Sequence, residues 1–443
     1  MQPITRLPRR SRSLVMRMNK REFLAAGHWP TLLAAFLYFD VSFMVWVALG
    51  PLSLYLSHDL GLTVDQKFSL VAIPILSGAL LRIPLGMLAD HLGSKRTGQF
   101  AQLIVIASVA YAWLFGLHSL FAADVLAVLL GLGGASFAVA LPQASRWYPP
   151  KYQGVVMGIA GAGNMGVVID SLLAPALAEH FGWQAVFGLL LIPLVLVLIV
   201  YSVLAKDAPE KRTPVTLRNY RAMLADRDTW WFMFFYSITF GGFVGLGNAL
   251  PLYFTQWYHV SGITAGMMAA MVVFAGSMLR PVGGWVADRI GGIRSLQMLF
   301  VVVALAYVTV ALLPQGPKPD MAAVLDAKVS GWSLFAMPGV AWAAVGVFFV
   351  GAMALGMGNG AVFQLVPLRF RGEIGVMTGL VGAAGGIGGF FLARALGWSL
   401  NAQGNFTAGF GLFAALALVG LSGLILVKAR WRTTWGAVSG ASV

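Results

Sequence analysis

Apolar positions in this chain come in long, almost unbroken runs, not at alternating or one-face helical intervals. The runs lie at roughly 31–56, 67–89, 99–118, 123–145, 153–177, 183–205, 229–256, 264–287, 296–313, 339–366, 374–396 and 405–427. Crossing a hydrocarbon core takes about 20 helical residues. A helix also satisfies its own backbone groups where no water can. The pattern therefore predicts an all-α integral membrane protein of about twelve transmembrane helices.

The polar interruptions orient it. Lys and Arg crowd residues 1–28, Lys95 and Arg96, Arg146 and Lys151, the stretch from Lys206 to Arg227, Arg289 and Arg294, Arg369 and Arg371, and Lys428, Arg430 and Arg432. The alternate loops hold only Lys67, Lys318, Lys328 and Arg394. The positive-inside rule then puts both termini in the cytoplasm, with the chain in the inner membrane. The expected layout is a cytoplasmic tail at 1–28, six helices in 29–205, a cytoplasmic loop at 206–228, six more helices in 229–428 and a tail at 429–443. The other long connection, 314–338, faces outward.

Composition agrees and narrows the partners. Apolar residues make up 59% and charged residues 10% of 443, against about 25% charged in soluble domains. Lipid is the solvent for most of the surface. The net charge of +14 sits in short loops, which topology explains and nucleic-acid binding does not. Cysteine is absent and the six histidines form no i,i+4 pair, so neither thiolate chemistry nor a zinc site is expected.

The chain repeats itself. Gly78, Leu81, Arg82, Gly86, Ala89, Asp90, Gly93 and Arg96 recur as Gly276, Leu279, Arg280, Gly284, Ala287, Asp288, Gly291 and Arg294, a constant shift of 280 − 82 = 198. Gly154, Gly158 and Gly161 recur as Gly375, Gly379 and Gly382, a shift of 221. Parallel halves of this kind place a substrate near the midplane, at the pseudo-two-fold interface.

Gly86 to Arg96 resembles the signature loop of the major facilitator superfamily, and Gly284 to Arg294 is its echo. A carboxylate at a helix end beside basic groups makes a conformational latch, here Gly86, Asp90 and Arg96 with Gly284, Asp288 and Arg294. The plain alternative is a solvated turn. Arg82 and Arg280 each lie about two turns deeper. An arginine at the centre of a span costs about 2.5–3.5 kcal/mol, and snorkelling does not require such depth. A guanidinium is flat, permanently charged and weakly hydrated, which suits a small planar oxyanion. The fifth run, Gly158 to Gly166 with Asn164, and the eleventh, Gly379 to Gly389, are dense in glycine. Small residues let helices approach closely, and that packing alone is the competing account. The tenth run adds Gly356 to Gln364, with Asn359 and Phe363.

Paired deep arginines in helices two and eight, with glycine-rich helices five and eleven, resemble the nitrate/nitrite porter family of the major facilitator superfamily over nearly the whole chain. The first run supports this with Phe39 to Leu52. The resemblance implies a two-half secondary transporter with no cofactor, working as a monomer in the bilayer on nitrate, nitrite and, in a coupled cycle, protons. It implies that Arg82 and Arg280 clamp the anion and that Asn164 and Tyr236 donate to it. Phe137 and Phe240 would line the site with their positive ring edges, and Gly161, Gly163, Gly382, Gly385 and Asn359 would stand around it.

One feature departs from the family. Asp40 lies inside helix one and Asp170 inside helix five, and carboxylates within spans are functional suspects. Asp40 is the candidate for proton coupling or for neutralising an arginine; Asp170 reads as part of a polar outer mouth. No enzyme constellation is visible, since the Gly-x-Gly runs lie inside apolar spans and no phosphate-binding loop occurs. Nitrate–proton symport, nitrate/nitrite antiport and carriage of another small organic anion compete; a membrane receptor would need a soluble domain that the expected loops do not supply.

Overall fold

The computed structural model describes residues 20–149, 152–161, 164–209, 215–317, 331–370 and 373–436. Among them twelve helices are long and apolar enough to cross a membrane. They are α1 (Trp29–Asp59), α2 (Val64–Leu92), α3 (Ser94–Phe115), α4 (Leu120–Ser145), α5 (Ile159–Phe181) and α6 (Trp183–Leu204). The second set is α7 (Arg227–Tyr258), α8 (Gly262–Ile290), α9 (Gly292–Leu312), α10 (Gly339–Arg369), α11 (Ile374–Gln403) and α12 (Thr407–Thr433). Within α1 the helix breaks at Ala48, and within α4 at Ser136. The described helical pieces around α5 are Gln153–Gly161 and Met165–Phe181. Short helices Lys20–Ala25 and Leu217–Leu224 stand outside this numbering.

The expected spans are therefore present; most ends run a few residues further, whereas α3, α6 and α9 stop one to three residues short of the expected ends and α12 starts two residues late. Arg369 and Arg430 stand in the last turns of α10 and α12. Residues 1–19, Lys151, Gly163, the centre of the connection 314–338 and Arg371 lie outside the described residues.

Local chemistry sets the starts. Thr63 and Gln66 form a reciprocal capping box on α2, and Ser119 and Ser261 cap α4 and α8 through the amides of Ala122 and Thr264. Such caps satisfy otherwise orphaned N–H groups. The repeated loops turn the same way: Gly93 has φ +91° and Gly291 φ +98°, a region that only glycine enters without strain.

The repeat is visible in packing. In the first six spans α2 crosses α4 where a methyl on Gly78 would lie 3.1 Å from the Gly131 carbonyl oxygen. In the last six, α8 crosses α10 where a methyl on Gly356 would lie 2.0 Å from the Gly276 oxygen. Across the halves α2 lies on α11 and α8 on α5, an exchange of equivalent partners. Outward faces carry exposed Phe121, Leu196, Leu312 and Leu426, as a lipid-facing surface requires.

The halves close at the Tyr55 end. The Tyr55 hydroxyl donates to the Pro175 carbonyl at 3.0 Å, and a methyl on Gly262 would fall 2.6 Å from that same hydroxyl. A methyl on Gly266 would fall 2.4 Å from the Ser171 oxygen. Deeper in, Phe43, Trp46, Val167, Phe243 and Asn248 surround a void of about 10 Å³, room for one water at most.

The opposite end holds most of the ion pairs, while Asp65 of α2 and Arg394 of α11 pair at 3.2 Å at the Tyr55 end. Asp90 pairs with Arg146 at 2.5 Å, tying α2 to α4. Asp226 and Asp228, at the start of α7, share Arg369 of α10 at 2.6 and 2.9 Å. Asp228 also meets Arg430 and accepts from the Trp431 indole of α12.

Candidate functional site

Arg82 is fully buried on α2. Its Nε donates to the Gly134 carbonyl of α4 at 3.1 Å and its Nη1 to the Gly382 carbonyl of α11 at 2.5 Å. Those two carbonyls come from opposite halves and fix the guanidinium plane. Its Nη2 is buried with no acceptor. The Phe137 and Phe240 rings each lie 5.2 Å from Cζ, with Trp46 at 5.8 Å.

Arg280 occupies the same repeat position on α8. Its Nη2 donates to the Tyr236 hydroxyl at 3.3 Å, and Phe363 lies 5.7 Å from its Cζ. Its Nη1 is again buried without an acceptor. Tyr236 stacks on Phe240 at 5.1 Å and meets Phe363 edge-to-face at 5.1 Å. Glycine makes room for this stack: a methyl on Gly385 would lie 2.7 Å from Tyr236 and 2.8 Å from Phe240, and one on Gly382 3.0 Å from Arg82 Nη1.

Two permanent cations therefore stand around one tyrosine, each with an amino group that lacks an acceptor. Among the described residues no carboxylate pairs with either arginine. A buried unpaired donor costs about 1–3 kcal/mol, more when charged, and a small anion would satisfy both.

The structure thus brings Arg82, Arg280, Tyr236, Phe137, Phe240, Gly382 and Gly385 together. It also shows differences from expectation. The faces of Phe137 and Phe240 address the Arg82 guanidinium, so these rings serve the arginine through cation–π contact. Asn164 is buried with its Oδ1 unpartnered, and it makes no hydrogen bond to the arginines. Asn359 is likewise buried with Oδ1 unpartnered, beside Gly360, whose added methyl would lie 2.2 Å from the Arg280 carbonyl oxygen. A methyl on Gly161 would meet nothing within 4 Å, so no close helix contact needs glycine there. Gly163 lies outside the described residues. Phe363 and Trp46 complete the aromatic frame; Phe363 stands four residues after Asn359, on the same helical face, which was the available signal.

Asp40 does not neutralise an arginine. Its Oδ1 accepts the Gly166 amide at 2.7 Å, joining α1 to α5. Asp170 is not at a polar mouth: it is buried, and neither carboxyl oxygen has a hydrogen-bond partner.

The repeated loops are not equivalent. Asp90 holds Arg146, whereas Asp288 is met by the Gln364 side chain, because Arg369 is engaged by Asp226 and Asp228. Arg96 and Arg294 form no ion pair among the described residues, so the basic member of the first pair is Arg146. Gly86 and Gly284 lie where an added methyl would meet only ordinary contacts, at 3.7 and 3.8 Å. Tyr220, in the central connection, stands between α2 and α11; a methyl on Gly379 would lie 3.3 Å from its hydroxyl and one on Gly86 3.9 Å. Burial, and then the nearby Asp90 charge, push that hydroxyl up to about 12, so it stays a neutral donor. Asp90→Asn is expected to lower maximal transport rate several-fold and leave equilibrium anion affinity unchanged, because the pair is remote from the arginines. Rates in proteoliposomes beside binding by isothermal calorimetry check this; a large affinity loss at normal rate would reverse the assignment.

Twelve spans with a duplicated loop and crossing pattern define a multi-pass membrane protein of the secondary-transporter class. The sequence pattern of the Major Facilitator Superfamily matches residues 31–393. The chain belongs to the nitrate/nitrite porter family of that superfamily. It is 33% identical over 387 residues to the "Probable nitrate/nitrite transporter NarK2" of Mycobacterium tuberculosis, covering 86% of this chain and 91% of that one. It is 30% identical over 390 residues to the "Nitrite extrusion protein" of Bacillus subtilis, covering 87% and 90%. It is 30% identical over 400 residues to the "Probable nitrate/nitrite antiporter NarK1" of Thermus thermophilus, covering 86% and 88%.

Proposed function

We propose that this chain carries nitrate and nitrite across the cytoplasmic membrane by alternating access, with the anion held between Arg82 and Arg280. The carrying observation is the pair of buried amino groups, Arg82 Nη2 and Arg280 Nη1, that lack acceptors on either side of Tyr236. A planar oxyanion has acceptor oxygens to meet both at once. The names of the relatives support the choice of anion. The rigid bodies of the cycle are the bundles 29–205 and 229–428, joined by 206–228, with the monomer as the working unit in lipid and both termini cytoplasmic. The Tyr55 end then faces outward, and the closure there makes this an outer-closed form. The tails 1–28 and 429–443 anchor topology through their basic residues.

Counterflow of labelled nitrate in proteoliposomes tests the assignment. Exchange of labelled nitrate against internal nitrate or nitrite, and none against lactate or succinate, is expected; preference for an organic anion would replace it. Asn164→Ala is expected to weaken nitrate binding by about 1–3 kcal/mol, the loss of a hydrogen bond to a charged group. Calorimetric titration reads this, and unchanged affinity would remove Asn164 from the site.

Obligate exchange is the second reading, and one observation favours it. With no carboxylate paired to the arginines, the empty site carries two positive charges and resists closure. On that reading an anion accompanies each switch.

A further inference from the structure

Asp170 is the buried ionisable group that the anion site does not use. It lies on α5, 3% exposed, and both carboxyl oxygens lack a hydrogen-bond partner among the described residues. An ionised carboxylate so placed would have neither water, donor nor counter-charge, and buried charges are found paired or neutralised. The groups that could have served it are engaged elsewhere or do not reach it. On α1, Asp40 accepts from Gly166, Tyr55 donates to Pro175, and His58 and Asp59 interact with each other, Asp59 also with the Trp183 indole. On α8, Arg280 donates to Tyr236. On α6, Tyr201 donates to Ser94 and Gln143; further along α5, Glu179 meets Tyr55, and neither it nor His180 contacts Asp170. The arrangement fits a carboxyl that carries its own proton in this outer-closed form.

Its position sets it between the outer seam and Asp40. Ser171, the next residue, touches Gly266 of α8 at the seam that closes the outer end. Parting α5 from α8 there would admit water to Asp170. Four residues back on the same face, about 6 Å of helical rise, the Gly166 amide holds half-buried Asp40. Asp40 lies on the inner side of Asp170 along α5.

We infer that Asp170 is the proton-binding group of a nitrate–proton symport cycle, taking a proton from the outer side when the α5–α8 seam opens and passing it inward by way of Asp40. This rests on the anion reading above. Each cycle moves one proton from outer water onto the Asp170 carboxylate and one nitrate onto the arginines. Closure of the outer seam needs the neutral carboxyl. Release of that proton inward leaves an unpartnered buried charge, which favours reopening of the seam and resets the carrier. Calcium or magnesium would need several oxygen ligands, and among the described residues no three acidic, His or Cys side chains are grouped so as to hold a metal ion.

The test uses the full chain in proteoliposomes, with internal pyranine reporting pH and labelled nitrate reporting flux. Wild-type protein should acidify the lumen as nitrate enters. Asp170→Asn, which copies the shape of the neutral carboxyl, should lose nitrate-driven acidification by at least tenfold and keep nitrate/nitrite counterflow within about twofold. Asp170→Glu should restore part of the proton movement. Infrared difference spectra of wild-type protein should contain a protonated-carboxyl C=O band that Asp170→Asn removes, a readout independent of transport and of folding yield. The inference is overturned if Asp170→Asn acidifies at the wild-type rate, if the band persists, or if wild-type uptake follows a sodium gradient instead. Normal wild-type counterflow without any acidification overturns the symport inference alone. Absent nitrate counterflow overturns the anion reading instead.

Discussion

Arg82→Lys and Arg280→Lys should each reduce nitrate uptake at least a hundredfold while the protein still inserts and purifies as a monodisperse species. The charge is kept, so Coulomb attraction alone cannot account for the loss. Arg82 uses Nε on Gly134, Nη1 on Gly382 and has Nη2 left for a ligand. A lysine ammonium sits at one point and cannot span carbonyls on two helices while presenting a third donor to the cavity. Each charge-assisted hydrogen bond contributes about 1.5–3 kcal/mol, so losing one or two of them gives the expected size. Arg280 has the same problem with the Tyr236 hydroxyl on one side and an unpartnered Nη1 on the other. Uptake of labelled nitrate and calorimetric affinity check both variants. Wild-type affinity in either would remove that arginine from the site.

Gly385→Leu should reduce uptake below a tenth of normal. Even a methyl at this position would stand 2.7 Å from the Tyr236 ring and 2.8 Å from Phe240. Overpacking of this kind costs about 1–3 kcal/mol or more and is relieved by moving the smaller obstacle. Here the obstacle is the stacked pair that orients the Arg280 partner. Tyr236 would leave its place between the arginines, or α11 would back away from α7. The first outcome damages affinity and the second damages the closed interface, so uptake falls on either path. Gly161→Leu is the matched control, since a Cβ added there meets nothing within 4 Å. Equal transport by both leucine variants would show that the glycine at 385 does not shape the site.

Much of the fold was legible because its causes are local. Runs of about 20 apolar residues and a repeat in fixed register need no knowledge of partners. The depth of Arg82 and Arg280 was legible for the same reason, being a count from Asp90 and Asp288 along one helix. What stayed hidden depends on distant chain. Gly382 is 300 residues from the arginine it receives, and no periodicity reveals such a pairing. Phe137 and Phe240 were expected near the site, but which part of each ring faces the charge follows from the tilt of α4 and α7. The burial of Asp170 was misread from its distance along the span, which measures depth but not whether a neighbouring helix covers it. The asymmetry of the two loops was invisible because Arg369 has two acidic suitors at the start of α7 that the first half lacks at the matching place.

The seam between α2 and α11 has a mechanical consequence. A methyl on Gly386 would press 2.6 Å from the Ala79 Cβ, and one on Gly389 3.1 Å from Ile75 Cγ2. Where side chains interdigitate, one helix must lift out of its neighbour's notches before it can move, and the surface behaves as a ratchet. Here one face offers almost no teeth. The corrugation along the seam is shallow, so α11 can glide or pivot over α2 with little dilation of the membrane-embedded body. Resistance to movement is then concentrated at the few points of bulk or charge along the seam: Arg82 against Gly382, Phe68 against Gly397, and the Asp65–Arg394 pair at the Tyr55 end.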